Sequence, residues 1–384
     1  MTQPVPPAEP SRRARAWATT MSGHRDADGL VTAHAGGEPR VAPVAPRDRP
    51  AREALEEQLL QPGATRAHGA GERERPEQPD PERTCFERDR DRVLHSSAFR
   101  RLAGKTQVFV YPADHQRTRL THALEVAQVA TAVSRATGLN VALTEAIAIG
   151  HDCGHGPGGH ASEEAFDAYL PGGYDHAVWG ADVVLAPLNL CRQTLDGIRN
   201  HSWSRPAPAT PEGVVVSWAD RVAYTAHDLE DAVHTGIVSV DQLPPEVAEV
   251  CGRTRGEQLG TFVRELVDCT TGTGVIGMRP DVADALAALR TFNYERIYTR
   301  PEALAQSASV VAVLRALVEH YLEQPDWLPS DYRPADAAAE DEVVCAAVSY
   351  VGGMTDRFAF RTAVRDLGWD PARLPRGIDV PRRR

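Results

Sequence analysis

Residues 141–160 read VALTEAIAIGHDCGHGPGGH. The first ten are almost wholly apolar on every side of a helical projection. A helix without a polar face is a buried one, so this stretch predicts the central helix of an all-α domain. It ends in a glycine-rich turn, and His151 and Asp152 stand at the join. Burying a carboxylate beside an imidazole is costly unless something compensates. A divalent cation compensates both, and mixed nitrogen and oxygen donors suit Mg, Mn, Fe, Co, Ni or Zn. Taken alone, a His-Asp dipeptide is more often a helix-end pair with an ordinary core histidine. Its surroundings reverse those odds.

Upstream, RLTHALEVAQVATAVSRATG (119–138) has the spacing of an amphipathic helix closed by Gly138. It carries His122 among Leu120, Leu124 and Val126. Downstream, GVVVSWADRVAYTAHDLEDAV (213–233) sets Asp220 among Val216, Trp218 and Val222. Both are ligand-type residues on inward faces. The pattern H…HD…D on successive helices therefore proposes His122, His151, Asp152 and Asp220 as the holders of one divalent metal ion.

Helical spacing extends from RTCFERDRDRVLHSSAFRRLAG (83–104) through segments at 161–170, 243–250, 256–270, 281–298, 303–323 and 340–364, with Pro or Gly between them. TGTGVIGM (271–278) alone reads as a short strand. The expected architecture is a multi-helix single domain over 83–384, the last twenty residues forming a loose basic tail. Residues 1–82 are rich in Pro, Arg, Ala, Gly and Glu with little apolar periodicity. They read as a largely disordered extension, with a short helix at 50–60.

The formal charge of the 384-residue chain is −11, from 42 basic and 53 acidic residues. So acidic a chain has no overall attraction to nucleic acid or anionic membrane, and any phosphate site must be a local basic patch. No run of about 18 apolar residues marks a membrane span. Six scattered cysteines without a CxxC pair argue against a zinc ribbon or disulfide framework and fit a reducing, cytoplasmic setting.

Further chemistry gathers around the four ligand candidates. The turn GHGPGGH (154–160) brings His155 and His160 beside them, and Glu163 follows one turn later. An imidazole near a metal-bound phosphate can protonate a leaving oxygen, and His160 is the candidate. Asp220, Tyr224, Asp228 and Asp231 recur at four-residue or near-four-residue steps and line one helix face. Arg119 precedes His122 by less than a turn. Lys105, the only lysine in the chain, follows Arg100 and Arg101, which suggests a site needing a compact cation.

These motifs resemble the deoxyguanosinetriphosphate triphosphohydrolase-like proteins, the dNTPases of the HD phosphohydrolase superfamily. The matching blocks run in family order over residues 83–360, with a weaker match back to about residue 50: FERDRDRVLHSSAFRRLAGKTQVF, DHQRTRLTHALEVAQVA, AIGHDCGHGPGGHASEEAF, LNLCRQTLDGIRNHS, ADRVAYTAHDLEDAV, LRTFNYERIY and YVGGMTDRFA. The resemblance implies an HD-domain helical fold and hydrolysis of a deoxynucleoside triphosphate to deoxynucleoside plus inorganic triphosphate. It implies metal roles for His122, His151, Asp152 and Asp220, and catalytic roles for His160, Glu163, His155 and His176. Arg119 matches a phosphate contact. Gln107, Tyr224 and Asp228 match sugar contacts, and Tyr298 and Arg296 match nucleotide contacts. Relatives are commonly homo-oligomers, often hexamers, and some respond to a second nucleotide. The same ligand pattern also serves nucleotide phosphomonoesterases and phosphodiesterases, and a sensing oligomer with reduced turnover would keep it too. This chain departs from the family's HDxGHPPFGHxGE: Gly156 and Gly158 replace Pro and Phe, and Ser162 replaces Gly. The added glycines should loosen the turn. Ala177 and Trp179 stand where Asn and Gln are expected.

Overall fold

The computed structural model describes residues 9–36, 41–112, 115–333 and 339–377. They fall into two compact units, Met1–Pro46 and Arg47–Arg384. The first holds α1 (Arg12–Thr20), capped by the Ser11 hydroxyl, and an antiparallel pair of two-residue strands, β1 (His24–Arg25) and β2 (Val31–Thr32). Its helix buries no side chain.

The second unit begins with α2 (Arg49–Leu59), α3 (Cys85–His95), α4 (Ser97–Arg101), α5 (Arg119–Thr137) and α6 (Val141–Gly150). It continues through α7 (His160–Phe166), α8 (His176–Trp179), α9 (Arg192–Arg199), α10 (Pro211–His234), α11 (Pro245–Cys251) and α12 (Arg255–Thr273). It closes with α13 (Pro280–Asn293), α14 (Pro301–Glu323), α15 (Glu340–Gly352) and α16 (Asp356–Leu367). The fold is all-α.

Local chemistry sets the ends. Asn140 caps α6 by accepting from the Leu143 N–H, and Gly138 ends α5 in a left-handed conformation at φ 69°. Thr84 and Glu87 form a reciprocal capping box on α3. Helix α6 is central as expected: Leu143, Ala146, Ile147, Ala148 and Ile149 are buried where α3, α5, α9 and α10 pack around it. This first core extends into α12 and α13. A second core joins α7 to α14, α15 and α16 through Phe166, Val310, Leu314, Val348 and Phe360. The turn after α6 links the two cores, so the His-Asp pair lies where they meet.

Three expectations are corrected. Residues 47–82 belong to the second unit and are not a disordered extension. Ala64 and Ala67 reach the first core, and polar bonds hold the rest. The Arg73 guanidinium pairs with Asp89 at 2.6 Å and donates to the Asn189 carbonyl at 2.5 Å. Buried Glu212 accepts from the Thr65 N–H and hydroxyl and from the Asn140 N–H, at 3.0, 2.7 and 2.9 Å. Residues 271–278 are not a strand: Ile276 and Met278 pack on the first core from a loop. The start of the basic tail is tied down, because the Arg373 and Arg376 carbonyls accept from Ser309 and Gln306 of α14 at 2.9 and 2.8 Å. Residues 378–384 lie outside the described residues. By length and composition alone α14 could cross a bilayer, but its Val310, Leu314, Leu317 and Val318 are core residues here.

Candidate active site

Three helices bring the proposed ligands together. His122 projects from the first turns of α5, His151 and Asp152 from the end of α6, and Asp220 from the middle of α10. His122 Nε2 is 3.0 Å from Asp220 Oδ1 and 3.7 Å from Asp152 Oδ2. His151 Nε2 is 3.5 Å from Asp152 Oδ1 and 3.7 Å from Asp220 Oδ1. The donor atoms of His122, His151 and Asp220 lie within 4.8 Å of one another, as do those of His151, Asp152 and His201.

Two features test whether a cation fits. His151 Nδ1 sits 2.6 Å from the Ala148 carbonyl and donates to it, which leaves Nε2, buried and without a hydrogen-bond partner among the described residues, as the atom open to a proton or a metal. A fixed tautomer with its free nitrogen turned to carboxylates is what a metal-binding imidazole needs. The site also draws positive charge. Burial opposes the charge of His151, yet Asp152 and Asp220 lift its pKa to about 9. Burial likewise works against ionised Asp152 and Asp220, but Arg119 and His151 hold the first well below the usual carboxylate range, and His122 and His151 the second. The set fits a divalent ion held by His122, His151, Asp152 and Asp220.

Arg119, buried in α5, donates to Asp152 Oδ2 at 2.7 Å while its Nε has no partner. Beside it lies a histidine-rich cluster. Glu163 Oε1 accepts from His176 Nδ1 at 2.7 Å and from His160 Nδ1 at 3.0 Å. Burial opposes ionised Glu163, but its histidine partners keep its pKa far below the usual range. The His160 side chain is 75% exposed, so its far nitrogen reaches open space. His155 is buried, its ring stacked on His176 with centroids 3.7 Å apart, and its Nε2 is 3.3 Å from Asp152. Burial, then Arg119 and His176, push its pKa well down, so it is neutral.

The turn that carries these groups is packed, not loose. Gly156 N–H donates to Ser162 Oγ at 2.9 Å, and Gly158 N–H to Asp356 Oδ1 at 2.9 Å. A Cβ on Gly156 would lie 2.7 Å from Ser162 Cβ, so the Ser that replaces the family's Gly fills the space vacated at 156. Gly158, at φ +74°, would meet Val310 at 2.4 Å. The expected loosening is therefore corrected.

A cavity of about 470 Å³ opens on both clusters. Gln107, Tyr224, Asp228 and Tyr298, all singled out from the sequence, line it too. Tyr298 donates to Asp228 Oδ2 at 2.5 Å; Asp228 Oδ1 and Gln107 Oε1 are buried without partners among the described residues. Burial pushes the Asp228 carboxyl up to about 8. The Tyr224 hydroxyl accepts from Arg290 at 2.9 Å. Exposed Arg296 does not line the cavity. Nor does Lys105. Its ammonium is buried and donates to the carbonyls of His155 and, at 3.0 Å, Gly352. Two backbone acceptors occupy it, so it props the turn instead of contacting substrate.

Sequence reasoning missed several cavity residues. His201, buried, donates from Nδ1 to the Ile198 carbonyl at 2.8 Å, and its Nε2 is 3.3 Å from that of His176. Its signal was the Asn-His-Ser stretch after α9, which has no helical face to mark it. Arg221, Arg290 and Arg300 line the cavity too, and none has an ion-pair partner among the described residues.

Residues 119–225 match the HD domain and residues 276–365 the phosphohydrolase-associated domain. A protein of Caldanaerobacter subterraneus named deoxyguanosinetriphosphate triphosphohydrolase-like protein is 39% identical over 315 residues, covering 80% of this chain and 92% of that one. Proteins of the same name from Clostridium perfringens and Cereibacter sphaeroides are 39% and 35% identical, over 74% and 80% of this chain and 87% and 98% of theirs. The chain belongs to the deoxyguanosinetriphosphate triphosphohydrolase-like family. As an HD-domain hydrolase of that family it takes all four ligand candidates from the HD segment. The phosphohydrolase-associated segment supplies Arg290, Tyr298 and Arg300 of the cavity wall.

Proposed function

We propose that the protein hydrolyses deoxynucleoside triphosphates to deoxynucleoside and inorganic triphosphate, using one divalent ion at His122, His151, Asp152 and Asp220. One observation carries this reading: a metal-type His/Asp cluster and three arginines without carboxylate partners among the described residues share one cavity in a chain of net charge −11. Cations left unpaired in so acidic a chain favour a polyanion over a monoanion.

When bound, the metal supplies Lewis acidity at the α-phosphate and lowers the pKa of a water molecule. Arg119 holds Asp152 in place and adds charge at the phosphate. His160 is the general acid: Nδ1 donates to Glu163, and the opposite nitrogen, protonated, gives its proton to O5′ as the P–O5′ bond breaks. Water adds to phosphorus, so the products are deoxynucleoside and intact triphosphate. His155 and His176 hold the Glu163 side of the site. The Asp228–Tyr298 pair and Gln107 offer acceptors to the 3′-hydroxyl, and the Tyr224 ring crowds the 2′ position. The family resemblance carries with it a cytoplasmic homo-oligomer, which light scattering on the purified chain checks.

Phosphorus NMR of purified protein with Mn or Mg and each dNTP, singly and mixed, tests the reaction. Intact triphosphate is the expected product. No dNTP consumed under any of these conditions, or release of pyrophosphate or orthophosphate, would sink the proposal. Dephosphorylation of nucleoside monophosphates with dNTPs untouched would move the site to the phosphomonoesterase reading.

A further inference from the structure

Trp203 lies between α9 and α10, two residues after His201, and lines the cavity with 48% of its surface exposed. Two contacts fix its plane. The indole N–H donates to the Ser217 carbonyl at 3.2 Å, and the Trp218 ring meets it edge-on at 4.7 Å. On its face lies the guanidinium of Arg221, with the central carbon 3.7 Å from the ring centroid. Ser217, Trp218 and Arg221 occupy one turn of α10, the turn that also carries Asp220.

Arg221 has no ion-pair partner among the described residues, and its buried Nε has no hydrogen-bond partner. Arg290 stands nearby: its Nε–H donates to the Tyr224 hydroxyl, and no carboxylate among the described residues pairs with it. Two guanidiniums thus share a stretch of cavity wall, each steadied by an aromatic side chain. Arg117, by contrast, is met by Glu125, Glu230 and Asp231. A guanidinium laid flat on an indole keeps its N–H edge free and loses little rotamer freedom when a phosphate arrives.

We propose that Trp203 is a positioning residue that holds Arg221 beside Arg290 in a subsite for the polyphosphate chain. The proposal rests on the polyphosphate reading above. Arg221 directly follows Asp220, so the subsite adjoins the metal end of the cavity.

The test is titration calorimetry of the full chain loaded with Mn, using inorganic tripolyphosphate and orthophosphate as probes. Trp203→Leu and Trp203→Ala should weaken tripolyphosphate binding about 3- to 30-fold, the range of a cation–π contact, and leave orthophosphate unchanged. Trp203→Phe keeps a π face and should recover most of the loss. The double variant Trp203→Leu/Arg221→Gln should bind no more weakly than Arg221→Gln alone. With dNTP as substrate, Trp203→Leu should raise KM and leave kcat and metal content in place. Three results each overturn the proposal: wild-type affinity in Trp203→Leu, equal loss in Trp203→Phe and Trp203→Leu, or losses that multiply in the double variant. A wild-type protein binding tripolyphosphate no tighter than orthophosphate overturns it too. Absence of any dNTP hydrolysis would remove the reaction proposed above, while the tripolyphosphate cycle would still judge Trp203.

Discussion

Asp228 offers a direct measure of how dry the cavity wall is. Its carboxyl is 4% exposed, accepts from Tyr298 at 2.5 Å, and leaves Oδ1 unpartnered. Burial raises its pKa from an ordinary 3.8 to about 8. A raised carboxyl pKa means that the folded protein binds the proton more tightly than the unfolded chain does. Between the two values the unfolded chain binds fewer protons, so this group makes stability fall as pH rises from about 4 to about 8. At ~1.4 kcal/mol per unit the ceiling is roughly 6 kcal/mol, of which about 2 kcal/mol is already lost by pH 5.5. Water entering from the cavity softens the remainder, so about 1–3 kcal/mol should separate pH 5.5 from pH 8.5. Asp228→Asn keeps the shape and the acceptor for Tyr298 but cannot ionise. Urea unfolding of wild type and variant at both pH values gives a difference of differences in which all other titrating groups cancel. The variant should gain about 1–3 kcal/mol on wild type between pH 5.5 and pH 8.5. An unchanged gap, or one that shrinks at high pH, would refute the reasoning.

His151→Ala and Asp152→Ala should each abolish bound metal, read by elemental analysis, and turnover, with helicity by circular dichroism largely kept; full metal and activity in either would end the metal-site argument. His160→Ala should retain metal and lower kcat by about 10²–10³-fold, as expected for one lost acid–base group, and an unchanged rate would remove His160 from the chemistry. Lys105→Met should destabilise the fold by about 2–4 kcal/mol in urea unfolding, because the carbonyls of His155 and Gly352 lose their donor, while tripolyphosphate affinity of the folded protein stays at wild-type level. Weaker binding with unchanged stability would return Lys105 to the phosphate site. Gly158→Ala should lower the melting temperature by several degrees, since its Cβ meets Val310 at positive φ, and Val310→Ala should restore part of it; a neutral Gly158→Ala would mean that the turn is loose.

What the sequence made legible, and what it hid, divides along one physical line. Helices α5, α6 and α10 could be read because apolar spacing records burial, and a polar residue out of place on such a face stands out. His122, His151, Asp152 and Asp220 were legible for that reason. Where polar bonds do the holding, the pattern is silent. Residues 47–82 look like solvated chain, yet Arg73 and Thr65 anchor them to Asp89 and Glu212. Their bonds reach 16 and 147 residues along the chain, beyond any local window. His201 was missed for a related reason: it follows a helix end and has no face to stand out from. Lys105 was misread in the opposite sense. Its rarity was real, but a lone cation in a basic stretch is equally suited to bind two buried carbonyls. Only the path of the 154–160 turn decides between them. The Gly156/Ser162 exchange makes the same point at closest range. Each substitution alone suggests a looser or a tighter turn, and only their 2.7 Å approach in space makes them one compensated change. The geometry of the candidate site therefore rests on contacts that sequence spacing cannot express, and the departures from the family's pattern around His155 and His160 are read as pairs in space and not as single losses.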